Sequence, residues 1–306
     1  MRAESGDSSE FGVQSSEFGD SAIMKRISKI ISVILCIVVL AGALGLTACK
    51  ANKVKTYLVL GDSIGVGAGI QNPEEACYGR IIANTNGFSY FNDAVNGHTS
   101  AKLLARLDEP DVLEHVIGAD IISISIGGND FLKGNLPALA AKGLIGDYDA
   151  IDAVVDTVRT NFSAVIEKIR KVNPRAVILM QTLYNPIEDL PVIGKVYAEG
   201  TARLNAVFTD YAAQHPGEIE IVDVAAAFAG KSGLIAPDTI HPNGEGNLVI
   251  AKAVQQKLFT LELADSAETV VEVQPEDWLD MSGEGSLFEH ILQFFGIFGL
   301  GHDTEQ

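Results

Sequence analysis

The sequence predicts an α/β chain, a parallel sheet with helices packed on both faces. Three observations carry this. From Lys53 onward, apolar β-prone runs alternate with stretches that repeat apolar residues at helical spacing. Two of the runs, Ile121–Ile126 and Val177–Met180, are nearly continuous in their hydrophobicity, as strands covered on both faces are. The residues of chemical interest fall just past the ends of the runs, where ligands bind in sheets of this kind.

Taken in order, residues 1–23 hold Ser-Ser-Glu-Phe-Gly twice (Ser8–Gly12 and Ser15–Gly19) and almost no apolar content. They are expected to be a disordered extension, or a stretch ahead of a start at Met24. Residues 24–48 have the parts of a secretory signal: Lys25, Arg26 and Lys29, then an apolar run from Ile30 to Leu46, then small residues before Cys49. The competing reading is an uncleaved membrane helix, for which the run is slightly short. Leu46-Thr47-Ala48-Cys49 resembles the lipobox of bacterial lipoproteins. That resemblance implies a diacylglyceryl group on Cys49 as the first mature residue, and two or more acyl chains hold a protein stably at a membrane. The expected location is the extracytoplasmic face of a bacterial cell membrane.

Strands are expected at Val54–Leu60, Phe88–Val95, Asp120–Ile126, Ala176–Leu183 and Glu218–Val224, and helices at Ala101–Leu107, Asp152–Val172, Lys195–Ala213 and Asn247–Phe259. They make one domain over residues 49–260, with no internal repeat and no second domain of comparable size. With 306 residues, 47% of them apolar, the chain has enough material for a real core. Its 40 acidic residues against 22 basic ones give a net charge of −18, which excludes binding to a phosphate backbone. Of the three cysteines, Cys36 goes with the signal and Cys49 is lipidated, so Cys77 has no partner and there is no disulfide framework.

Four loops after strands carry chemistry. Gly61-Asp62-Ser63-Ile64 follows the first strand in a glycine-rich turn, a way to present one hydroxyl beside backbone N–H groups at a helix start. Ser63 reads as a nucleophile or as a plain helix cap; Asp62 reads as fixing the turn. Asp238 and His241, in the loop after the fifth strand, are spaced to sit on one face of a single turn, with His241 as general base and Asp238 orienting its imidazole, or as an ordinary surface pair. Gly97 after the second strand and Asn129 after the third read as donors to a developing oxyanion, or as common turn formers.

Together, Gly61-Asp62-Ser63-Ile64, Asn96-Gly97, Gly127-Gly128-Asn129-Asp130 and Asp238-Thr239-Ile240-His241 resemble the GDSL/SGNH hydrolase family over roughly residues 53–259, in that family's order and spacing. The resemblance implies a flavodoxin-like three-layer α/β/α sandwich with a central parallel five-stranded sheet, and serine esterase or lipase activity without a cofactor. It assigns Ser63 as nucleophile, His241 as base and Asp238 as its support, with Ser63, Gly97 and Asn129 forming the oxyanion hole. Ile64 stands where the family usually has leucine, and His98 beside the hole glycine is less usual and is a candidate for influencing substrate choice.

Gly61-x-Ser63-x-Gly65 also fits the nucleophile elbow of α/β-hydrolases, but that elbow normally follows several strands. Gly65-x-Gly67-x-Gly69 lacks dinucleotide spacing, and no metal-ligand cluster shows in the sequence. Leu132, Leu136, Leu139, Leu144 and Ile145 in one loop, with Ile187, Leu190, Val192 and Ile193 in another, either shape an acyl-chain pocket or pack on the domain. Residues 261–306 form an acidic tail, with eleven Asp and Glu and no Lys or Arg; Leu287, Phe288, Ile291, Leu292, Phe295 and Phe298 recur there at helical spacing. That short helix is expected to dock on the domain or rest at a lipid interface. The expected function is hydrolysis of a lipid or acyl ester, lysophospholipase-like in character. The alternatives are a carbohydrate O-acetyl esterase and a non-catalytic surface-binding lipoprotein.

Overall fold

The structure is a computed structural model and describes residues 24–35, 53–133, 141–143, 145–188 and 193–278. The chain divides into two units, Met1–Lys53 and Val54–Gln306. In the first, residues 24–35 form a helix; among the described residues no helix is long and apolar enough to cross a membrane. The expected extension at 1–23, the lipidation site Cys49 and the expected tail helix lie outside the described residues.

The second unit runs β1 (Thr56–Gly61), α1 (Ser63–Val66), α2 (Pro73–Ala76), α3 (Tyr78–Asn86), β2 (Ser89–Asn92), α4 (Ser100–Arg106), α5 (Pro110–Gly118), β3 (Ile121–Ser125) and α6 (Gly128–Lys133). It continues with α7 (Asp149–Val172), β4 (Val177–Gln181), α8 (Ile193–Gln214), β5 (Glu220–Val222), α9 (Val224–Phe228) and α10 (Gly244–Thr260). All strand pairs are parallel, in the order β2-β1-β3-β4-β5.

Alternation along each strand sends side chains into two cores. Leu58, Leu60, Ile122, Ile124, Ile178 and Met180 join one with the buried faces of α4, α5, α7 and α8. Tyr57, Val59, Ile121 and Leu179 join the other with α3, α9 and α10. Every residue of β3 is buried, and the two hydroxyls on its Ile121 face are hydrogen-bonded there, Ser123 to Gln181 (3.2 Å) and Ser125 to Asp62 (3.1 Å). The result is the expected three-layer α/β/α sandwich with a five-stranded parallel sheet.

The strands are shorter than their apolar runs. After β2, Asn92 turns its side-chain amide onto the Gly65 carbonyl (2.9 Å) and accepts from the Ala94 N–H (3.2 Å), while the Asp93 and Val95 N–H groups still donate to the Val59 and Gly61 carbonyls of β1 (2.9 and 3.1 Å). After β5, the Asp223 side chain accepts from the Ala226 N–H (3.0 Å) and starts α9. Two helices, α3 and α5, are absent from the sequence expectation, although Tyr78, Ile81 and Ile82 in one and Val112 and Val116 in the other stand at helical spacing. Gly79, Asn84, Thr85 and Asn86 are weak helix formers, and burial of Tyr78, Ile81 and Ile82 against the sheet overrides them. Strand order reverses between β1 and β3, so the loops at their carboxyl ends open a crevice.

Candidate active site

Gly61 closes β1 at φ +124°, and a Cβ there would sit 1.9 Å from the Ser125 carbonyl oxygen, so only glycine lets the chain turn against β3. The Asp62 N–H donates to that carbonyl at 3.0 Å. The Asp62 carboxylate accepts from the Ile64 N–H and the Ser125 hydroxyl, both at 3.1 Å. Ser63 is thereby fixed as the first residue of α1, just past the sheet edge. Burial pushes the Asp62 carboxyl up to about 6, with the hydrogen bonds from Ile64 and Ser125 pulling the other way. The turn-fixing role expected of Asp62 is what these contacts perform.

The candidate base, His241, comes from the other end of the chain. The Ala236 N–H donates to the His241 carbonyl (2.8 Å), closing a tight loop. Within it, Asp238 Oδ1 accepts from the N–H groups of Ile240 and His241, both at 3.0 Å. These bonds hold Thr239 at φ +65°, a region non-glycine residues rarely visit. Asp238 Oδ2 lies 2.6 Å from His241 Nδ1, and His241 Nε2 lies 2.8 Å from Ser63 Oγ. Burial alone would raise the Asp238 carboxyl; the side-chain and backbone hydrogen bonds and the charge of His241 outweigh it and hold the group below the usual carboxylate range. An ionised carboxylate only accepts, so Nδ1 carries the proton and Nε2 is left to accept from the serine hydroxyl. The Asp–x–x–His spacing thus works through a hydrogen-bonded turn rather than a helical one.

Two contacts that carry no motif keep the halves together. Gly69 lies at φ +102°, and a Cβ there would meet the Pro242 carbonyl oxygen at 2.4 Å and His241 Cβ at 2.9 Å. The loop after α1 therefore rests directly on the Pro242 backbone and the His241 side chain. Tyr184, just past β4, donates its hydroxyl to the Ile240 carbonyl at 2.6 Å and stacks on Phe228 with ring centroids 4.5 Å apart. Its position at the active edge was the one sequence signal for it.

Asn96, Gly97 and Asn129 line the same cavity as Ser63, Asp238 and His241. Asp130, next to Asn129, accepts from the Ser100 N–H (2.8 Å) and the Ser100 hydroxyl (2.6 Å), and Asn161 donates to that hydroxyl oxygen (2.9 Å). This ties the start of α6 to the start of α4, three residues past Gly97. The cavity encloses about 500 Å³, and its walls include Ile70, Leu132, Leu183, Tyr197, Leu204 and Ile240. Of the two loops expected to shape it, Phe131, Leu132, Tyr184 and Pro186 do so. Ile145 does not, being 80% exposed, and Ile187 packs against the core. Leu136, Leu139, Leu144, Leu190 and Val192 lie outside the described residues. His98 is not a wall residue, whereas α8, whose apolar spacing marked it only as a packed helix, supplies Tyr197, Thr201 and Leu204.

A model of the GDSL-like lipase/acylhydrolase family matches residues 59–249, well over half of the sequence. The chain belongs to that family. It is accordingly a carboxylic ester hydrolase of the GDSL lipase/esterase type. The spore germination lipase LipC of Bacillus licheniformis is 28% identical over 200 residues, which span 62% of this chain and 90% of LipC. Among solved structures, the lipase Lip_vut3 from a goat rumen metagenome superposes with a TM-score of 0.55 at 25% identity, covering 66% of this chain and 96% of Lip_vut3. Phospholipase A1 from Streptomyces albidoflavus NA297 shares the fold, with a TM-score of 0.53 at 19% identity over 67% of this chain and 100% of that one.

Proposed function

We propose that this GDSL hydrolase cleaves acyl esters of lipids by way of an acyl-enzyme on Ser63, at the extracytoplasmic face of a bacterial membrane. One observation carries the chemistry: Asp238, His241 and Ser63 form a continuous chain, 2.6 Å and then 2.8 Å, at the wall of an apolar cavity. In this reading His241 Nε2 takes the hydroxyl proton as Ser63 Oγ bonds to the ester carbonyl carbon. The carbonyl oxygen becomes an oxyanion, received by the backbone N–H groups of Ser63 and Gly97 and the Asn129 amide. Collapse breaks the ester C–O bond, and His241 returns its proton to the departing alcohol. Water then gives a proton to His241, attacks the acyl carbon and releases the carboxylic acid and the free Ser63 hydroxyl. Asp238, ionised throughout, stabilises the imidazolium.

The cavity supports a long acyl group over an acetyl group, since about 500 Å³ of mostly apolar wall would be largely unfilled by two carbons. The lipase name of LipC points the same way. Covalent labelling by a fluorophosphonate tests the reading. Labelling is expected in the native chain and lost in Ser63→Ala and His241→Ala; a native chain that resists the reagent would refute the acyl-enzyme on Ser63. The membrane assignment rests on the basic head, apolar run and Leu46-Thr47-Ala48-Cys49 of the sequence. Cys49→Ser should abolish incorporation of labelled fatty acid and release the protein from the membrane fraction, and unchanged fractionation would refute it.

A further inference from the structure

The family match ends at residue 249, yet the ordered chain continues past α10 and returns to the active edge. The returning strap, residues 261–278, is pinned along its whole length. Lys55 donates to the Leu263 carbonyl (3.2 Å) and Gln255 to the Ser266 carbonyl (2.7 Å). Thr85 and Val270 exchange hydrogen bonds (2.9 and 3.1 Å), and the Asn84 amide donates to the Glu272 carboxylate (3.0 Å). Asn72 then donates to the Gln274 carbonyl (2.9 Å) and accepts from the Glu276 N–H (2.8 Å).

At its end the strap touches both halves of the site. The Gln71 N–H donates to the Glu276 carbonyl (2.8 Å), and the Trp278 N–H to the Gly69 carbonyl (3.3 Å), beside the Ile70–Asp277 bridge. These bonds join the strap to the loop that follows Ser63. The Asp277 carboxylate also accepts from the Gly244 N–H (2.9 Å), the first residue of α10, three residues past His241. One short segment therefore clips the serine loop to the histidine loop. Trp278 is carried to the wall of the catalytic cavity, alongside Ile70 and Ile240.

We propose that this strap is a substrate-binding element and that Trp278 is a specificity-determining residue, its indole forming the apolar wall against which the acyl chain of the ester lies. The assignment rests on the ester-hydrolase reading. A tryptophan suits the task because a large rigid ring offers contact area at little conformational cost. The contact is to the acyl chain and not to the reacting atoms, so its loss should weaken long acyl esters more than short ones.

Trp278 is the sole tryptophan of the chain, so its fluorescence reports on this wall alone. In the full chain bearing Ser63→Ala, titration with decanoate should shift the emission saturably, and acetate should not. Emission that stays unchanged at decanoate concentrations that inhibit the native enzyme would overturn the assignment. In Trp278→Ala, the ratio of kcat/KM for decanoyl to acetyl esters should fall by roughly tenfold or more, the effect of losing one large apolar contact. Trp278→Phe should restore most of that ratio. A ratio within about twofold of the native value would refute a role in substrate choice. Should Trp278→Ala not fold, the titration in Ser63→Ala still decides. A native chain that turns over no ester while decanoate still moves the emission would overturn the hydrolase reading and leave the placement of Trp278 standing.

Discussion

Asp62 is buried beside Ser63 with two hydrogen bonds, and Asp62→Asn isolates what its charge costs the fold. In the folded chain its carboxyl is raised from the ordinary 3.8 to about 6 because burial disfavours the ionised form. At about 1.4 kcal/mol per pH unit, the ionised side chain is on the order of 3 kcal/mol less favourable in the folded chain than in the unfolded one. The sign follows from the raised value. The folded chain holds the proton more tightly, so across the window from 3.8 to about 6 it binds more protons than the unfolded chain. Stability is lost as pH rises through that window. Asparagine keeps an oxygen to accept from Ile64 and Ser125 but has no titration. The unfolding free energy of the native chain, measured against that of the variant, should therefore drop by about 3 kcal/mol between about pH 3.5 and about pH 7. Asp238, held below its usual range, acts with the opposite sign: its stabilisation is present above 3.8 and is lost as pH falls. It is common to both proteins and cancels in the difference. Urea titrations of both proteins at a series of pH values make the measurement, and any constant cost of the substitution drops out. Stability curves that run parallel across the range would refute the reasoning.

Removing the Asn129 amide by Asn129→Ala should lower kcat by roughly 10²–10³ with the urea midpoint little changed, and an unaltered kcat would exclude Asn129 from the oxyanion hole. Tyr184→Phe keeps the stack on Phe228 but orphans the Ile240 carbonyl. It should destabilise by about 1–3 kcal/mol and lower kcat, both read by comparing urea midpoints and initial rates, and native values for both would show that the tyrosine does not hold the loop. Gly69→Ala drives a Cβ into the Pro242 carbonyl at φ +102°. A loss of more than about 1 kcal/mol by urea denaturation, with a fall in kcat, is expected, and native behaviour would mean that the two loops do not bear on each other.

The parts of the fold legible in the sequence are those where one segment declares its own surroundings. Ile121–Ser125 could be read as a strand covered on both faces because neither face carries a charge and its only polar groups are two small hydroxyls, and β3 is buried throughout. α7 was legible because Val155, Val158, Phe162, Val165, Ile166 and Ile169 repeat at helical spacing and are buried. The catalytic candidates were legible for a related reason: a parallel sheet sends every β-to-α loop to one edge, so residues at strand ends must converge whatever their separation. What stayed hidden is pairwise. α3 is a helix because the sheet accepts Tyr78, Ile81 and Ile82, not because Asn84, Thr85 and Asn86 favour one. Tyr184 on the Ile240 carbonyl and Asp277 on the Gly244 N–H each match one side chain to one backbone group on a distant segment. Neither has a period or a composition to betray it. If Ser63 and His241 react as proposed, these unsignalled contacts are expected to matter to catalysis alongside the motif residues. The 2.8 Å between Ser63 and His241 is set by two loops that no strand pairing joins directly; close contact at Gly69, the Tyr184 hydrogen bond and the Asp277 end of the strap join them. A serine–histidine pair needs that spacing kept within a few tenths of an ångström for proton transfer. A chain with every motif residue in place but a side chain at position 69 would therefore still be expected to fail as an enzyme.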